Sequence, residues 1–252
     1  MELSWDNYVV PDNYELFEHL AYASDDESQQ FLNLSIPRNR KNFPTLIWFH
    51  GGGMNHSAID FVPELWDGTF AVAAARYRLA PQAMPPAQYE DAAMVIDYVC
   101  KNIASYGGDP SRIIVGGLSA GANMAALTVF DEKWLKPYNL SYRNFLGVML
   151  ISGQMTTHFY VKELLKYPGA NPLPVIDELA PMYHLKADLP PIMLLAGERD
   201  MPGRMYENLF MRDTLRALGH NANECHIIPG ARHGANLLHA DIMLDFIHRI
   251  ID

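Results

Sequence analysis

Along this chain, short apolar runs rich in β-branched residues alternate with stretches in which apolar positions recur every three or four residues. Thr45-Leu46-Ile47-Trp48-Phe49, Arg112-Ile113-Ile114-Val115, Phe145 to Ile151, Pro191 to Ala196 and Glu224 to Ile228 read as strands. Between Pro86 and Ser105, the positions Ala92, Val95, Ile96, Val99 and Ile103 share one helix face, and Pro86 suits a first turn. An alanine-rich run through Leu127 and a terminal run behind Gly234 predict two more helices. Tyr14 to Tyr22 and Gln30 to Ile36 add a pair of N-terminal strands. Such alternation predicts the α/β class, with a mostly parallel central sheet and helices on both faces. Gln154 to Leu189 is the least regular stretch, with prolines at 168, 172, 174 and 181 and the aromatics Phe159, Tyr160, Tyr167 and Tyr183. It is expected to form a short lid, whose aromatics either line a pocket or pack the lid onto the body.

Composition narrows the class. With 252 residues, 49% hydrophobic and 19% charged, the chain can bury a large core, and without repeats or linkers it is expected to form one domain over 1–252. No apolar run approaches the roughly twenty residues that span a bilayer, so no membrane span is expected. Met1-Glu2-Leu3-Ser4-Trp5-Asp6 carries acids and lacks a basic region before an apolar one, which argues against a secretory signal. Cys100 and Cys225 are expected to be two buried thiols in a reducing, cytoplasmic compartment. A formal charge of −10, from 29 acids and 19 bases, excludes nucleic acid as an expected partner. The ten histidines form no pair at zinc-site spacing, and neither metal nor cofactor is expected.

Two glycine-rich motifs carry chemistry. Gly117-Leu118-Ser119-Ala120-Gly121 joins a strand to a helix, and small neighbours allow a turn tight enough to hold a serine hydroxyl clear of the sheet. His50-Gly51-Gly52-Gly53 follows another strand and frees the backbone to aim its amides. Gly52, Gly53 and Ala120 are the candidate oxyanion donors, with His50 as a structural partner of that loop. A serine nucleophile needs a base, and the base needs a carboxylate. Asp200 follows the 191–196 strand in Gly197-Glu198-Arg199-Asp200, with Glu198 as its competitor. His233 lies in the loop Pro229 to Gly234, whereas His239 and His248 fall within the last helical run and His158 and His184 in the irregular segment.

These motifs, together with Tyr77-Arg78-Leu79-Ala80-Pro81, Tyr89-Glu90-Asp91-Ala92, Gly108-Asp109-Pro110-Ser111-Arg112 and Ala231-Arg232-His233-Gly234, make the sequence similar to the hormone-sensitive-lipase-like branch of the α/β-hydrolases. The likeness covers roughly residues 44 to 250 and is strongest to small bacterial-type esterases. It implies an α/β-hydrolase fold and a serine carboxylesterase with Ser119, Asp200 and His233 as triad, acting on a small-molecule ester. Two departures matter. Only about forty-five residues precede the glycine loop, and they read mainly as strands, which argues against a deep lipase tunnel. Leu118 stands where many relatives carry an acid, which resembles the short feruloyl- and acetyl-esterase-like cluster and implies small acyl groups or open substrates. An amidase, peptidase or aryl-formamidase would use the same triad. A receptor that kept the fold and lost the chemistry would be expected to lack part of it. A homo-oligomer is compatible with the sequence.

Overall fold

The apolar runs become the strands of a single eight-stranded sheet in the computed structural model of the chain, which describes residues 9–26, 28–56, 61–169, 173–234 and 238–252. Met1 to Asp6 and Pro172, both named above, lie outside the described residues. The strands are β1 (Tyr14–Ala21), β2 (Phe31–Pro37), β3 (Phe43–Phe49), β4 (Ala71–Ala75), β5 (Gly108–Leu118), β6 (Phe145–Ile151), β7 (Ile192–Arg199) and β8 (Asn223–Arg232). Their order is β1-β2-β4-β3-β5-β6-β7-β8. β1 and β2 pair antiparallel, β2 meets β4 antiparallel, and every neighbouring pair from β4 to β8 is parallel. The helices are α1 (Ala87–Asn102), α2 (Ala120–Phe130), α3 (Glu132–Leu135), α4 (Phe159–Leu164), α5 (Arg204–Ala217) and α6 (Ala240–Ile251).

Because strand side chains alternate between faces, each apolar run feeds two cores. Ile47, Phe49, Val115, Val148, Leu150, Ile192 and Leu194 point to one face, where they meet Val95, Ile96 and Val99 of α1, the buried apolar residues of α2, and Met211 and Leu215 of α5. Leu46, Trp48, Ile114, Met149, Ile151, Met193 and Leu195 point to the other, against Met243, Phe246 and Ile247 of α6. The rest of that second face is covered by an aromatic loop, Phe61, Val62, Leu65, Trp66 and Phe70. Side chains pin it: Trp66 Nε1 donates to Ser35 Oγ at 2.8 Å, and Tyr14 Oη donates to the Phe70 carbonyl at 2.8 Å.

Several sequence boundaries shift. β8 runs on to Arg232 and β7 to Arg199, so most of the expected 229–234 loop and Glu198 itself are strand. His239 is the residue before α6 rather than part of it, while His248 lies inside it and meets Asp67 Oδ2 at 2.6 Å. β4, absent from the sequence reading, is Ala-Val-Ala-Ala-Ala. Alanine favours helix, and only the flanking strands β2 and β3 hold this segment extended.

Candidate active site

All the expected site residues sit at the carboxyl ends of neighbouring parallel strands, the edge where open α/β sheets place ligands. Ser119 follows β5 and takes the N-cap position of α2, with φ 54° and ψ −112°. A serine there normally caps a helix amide, but this side chain makes no cap bond. Its hydroxyl is 3.0 Å from His233 Nε2 instead. The turn demands glycine two residues to either side of Ser119. A Cβ on Gly117 would stand 2.5 Å from the Phe49 carbonyl oxygen and 2.6 Å from the Gly121 carbonyl carbon. One on Gly121 would stand 2.5 Å from the His50 carbonyl oxygen and run into the Phe49 carbonyl as well. Gly121→Ala should therefore cost about 3 kcal/mol or more, since backbone on both sides must give way; a urea midpoint within experimental error of the parent would refute this.

His233 follows β8, and its Nδ1 lies 2.6 Å from Asp200 Oδ1. Asp200 Oδ1 also accepts the Met201 amide at 2.6 Å, and Oδ2 accepts the Ser152 hydroxyl at 2.6 Å. Burial by itself would raise the Asp200 carboxyl, but the hydrogen bonds from His233 and Ser152 outweigh it and hold the group below its usual range. Asp200 is thus a carboxylate at neutral pH. Glu198 is engaged elsewhere, since its Oε2 accepts the Gly230 amide at 2.7 Å and ties β7 to the segment that carries His233. Ser152 is fully buried with φ 49°, and one serine at a strand end gives no signal in the sequence.

The glycine loop is held from behind. Gly52 and Gly53 have φ of 97° and 64°. Among the described residues, the amides of Gly52, Gly53 and Ala120 donate no hydrogen bond within the protein, which leaves three donors at the end of β3 and the start of α2. His50 Nδ1 bonds the Gly51 carbonyl at 2.7 Å, and its ring stacks on Tyr77 at 4.3 Å. Tyr77 Oη donates to the His50 and Gly51 carbonyls at 3.0 and 3.2 Å. Tyr77 is placed in turn by its neighbour Arg78, whose Nε and Nη2 reach Asp91 of α1 at 2.9 and 2.8 Å, while the Arg78 amide donates to Asp91 Oδ2 at 2.7 Å. Asp91 is wholly buried and takes a further bond from Gln30 Nε2 at 2.9 Å. Tyr77, Arg78 and Asp91 therefore brace the glycine loop.

Of the other histidines, His158 is buried at the N-cap of α4, where Nδ1 accepts the Tyr160 amide at 3.3 Å. Burial, with help from nearby Arg204 and Lys162, lowers its pKa to about 3, and burial lowers that of His50 to about 4. Both lie below the unfolded value, so below about pH 6.5 the unfolded chain takes up two protons that the folded chain refuses. Their stability contribution is complete above pH 7 and is lost as pH falls towards 4, at up to roughly 3 kcal/mol per pH unit. Urea midpoints at pH 7, 6 and 5 should fall accordingly, and His158→Asn, which keeps a cap acceptor, should remove about one proton from the slope. Equal slopes in the two proteins would contradict this account. His184 Nε2 bonds the Glu178 carbonyl at 2.9 Å, and neither it nor His239 is brought to Ser119.

The BD-FAE family profile matches residues 32–206. The chain belongs to the BD-FAE family. That places it in the hormone-sensitive-lipase-like branch of the α/β-hydrolases. An isoprenylcysteine alpha-carbonyl methylesterase of Arabidopsis thaliana is 28% identical over 225 residues, which is 78% of this chain and 52% of the relative. Carboxylesterase NlhH of Mycobacterium tuberculosis is 36% identical over 96 residues, covering 36% of this chain and 30% of the relative. The chain thus spans about half or less of the length of these relatives. In fold, the family member resembles esterase B of Lactobacillus rhamnosis, with a TM-score of 0.78, 23% identity and coverage of 98% of this chain and 90% of that one. It also resembles a truncated carbohydrate esterase from gut microbiota, with a TM-score of 0.76, 19% identity and coverage of 95% and 97%.

Proposed function

We propose that the protein is a serine carboxylesterase for esters of small acids, working through Ser119, His233 and Asp200 and an acyl-enzyme. The observation that carries this reading is the continuous contact from Ser119 Oγ to His233 Nε2 and from Nδ1 to Asp200, at 3.0 and 2.6 Å. His233 takes the Ser119 proton as Oγ attacks the ester carbonyl, and ionised Asp200 holds the ring tautomer and stabilises the imidazolium. The amides of Gly52, Gly53 and Ala120 receive the oxyanion, each such donor being worth about 3 kcal/mol in the transition state. The N-terminus of α2 adds its dipole. His233 then protonates the departing alcohol, and water attacks the acyl group by the same route.

Esterase names among the relatives support the ester bond as substrate. Cys100 and Cys225 are both free and half-buried, and burial pushes each thiol up to about 11. Among the described residues, no helix is long and apolar enough to cross a membrane. Hydrolysis of p-nitrophenyl esters from acetate to decanoate tests the proposal. Activity should peak at acetate or butyrate, and a protein inactive on every member would overturn it.

A further inference from the structure

Between β6 and β7 the chain makes its irregular excursion, and its four aromatics are in different circumstances. Tyr160 packs on the core, Tyr167 hydrogen-bonds Asp177, and Tyr183 is 61% exposed. Phe159, the first residue of α4, is half-buried, and its Cζ lies 3.8 Å from where a Cβ on Gly53 would stand. Its ring edge therefore flanks a candidate oxyanion donor.

The ring is held there by a relay of hydrogen bonds from the core. Tyr89 Oη of α1 donates to Asn123 Oδ1 of α2 at 3.0 Å. Asn123 Nδ2 donates to the Gln154 carbonyl at 2.7 Å, and Gln154 Oε1 accepts the Phe159 amide at 3.0 Å. Tyr89, Asn123 and Gln154 are all buried, so the start of α4 is fixed to the same helix that follows Ser119.

We infer that Phe159 is a specificity-determining residue that closes the acyl side of the cleft, restricting the enzyme to short acyl groups. The inference rests on the esterase reading above. His233 must protonate the leaving oxygen, so the alcohol lies towards β7 and β8, which carry Asp200 and His233 on one side of β5. The acyl group is left with the opposite side, beyond β5 towards β3, where Gly53 and Phe159 meet. A rigid aromatic edge there clashes with a long chain. Removing it opens a space several methylenes deep, and each methylene in an apolar pocket can change discrimination by about tenfold or more.

The test uses two substrate series on the parent, Phe159→Ala, Phe159→Trp and, as an exposed control, Tyr183→Ala. One series varies the acyl group of p-nitrophenyl esters from acetate to decanoate; the other varies the alcohol of acetate esters. Phe159→Ala should raise kcat/KM for octanoate relative to acetate by about tenfold or more. Phe159→Trp should lower butyrate relative to acetate, and neither variant should reorder the alcohol series. Tyr183→Ala should match the parent. An active parent with acyl profiles unchanged in both Phe159 variants overturns this inference while leaving the esterase reading standing, and so does a change confined to the alcohol series. A parent inactive on both series overturns the esterase reading and this one with it. Should Phe159→Ala fail to fold, the Trp variant carries the comparison, since it leaves no cavity at this position.

Discussion

Ser119→Ala should lower ester turnover by about 10⁵-fold and leave the fold intact, because in the proposed mechanism the hydroxyl supplies the bond-forming atom. It caps no helix amide, and among the described residues its side chain bonds His233. Folding stability should be equal or slightly higher, since active-site hydrophilic groups are placed for chemistry rather than for stability. The residual rate would come from the unaltered amides of the glycine loop and from binding. Steady-state hydrolysis of p-nitrophenyl butyrate beside a urea titration reads both quantities. An unfolded variant, or one retaining a tenth of the parent rate, would refute the role given to Ser119.

Asp200→Asn should lower kcat by about 10³- to 10⁴-fold with little change in KM. The parent carboxylate is surrounded by donors: His233 and the Met201 amide on Oδ1, and the Ser152 hydroxyl on Oδ2. An amide cannot accept on both sides. If its NH₂ faces His233 the ring takes the wrong tautomer, and if it faces Ser152 the charge that stabilises the imidazolium is still gone. Ser152→Ala separates these effects, because it leaves the charge and removes one restraint on its orientation. A loss below tenfold in Asp200→Asn would assign the acid to another residue, and Glu198, already holding the Gly230 amide, would then have to be tested.

Sequence legibility followed range. Ser119 could be read because its constraint is local: the glycines two residues either side answer to clashes with adjacent backbone. The placement of Asp200 was legible because it follows the apolar run of buried β7, whereas His233 follows the half-buried β8, and its place beside Asp200 was implied by the chain order of the resemblance. What could not be read depends on distant partners. Ser152 and Glu198 bond residues 48 and 32 positions away, and neither has a local pattern. Asp91 lies in a motif of the likeness, but only the fold shows it buried against Arg78. β4 escapes because alanine says helix when read alone, and its extended state comes from its neighbours.

The helix after the acid also holds the root of the irregular segment. Glu207 Oε2 accepts the Met155 and Thr156 amides at 2.9 and 3.1 Å, and Asn208 Nδ2 donates to the Gly153 carbonyl at 2.9 Å. Since α5 begins four residues beyond Asp200, a swinging flap rooted at 153–156 would drag on the acid each time it moved. The entrance is better described as a fixed aperture than as a door. On the esterase reading, selectivity is decided when the chain folds, and new preferences would come from exchanging the residues around the opening rather than from altering how often it opens.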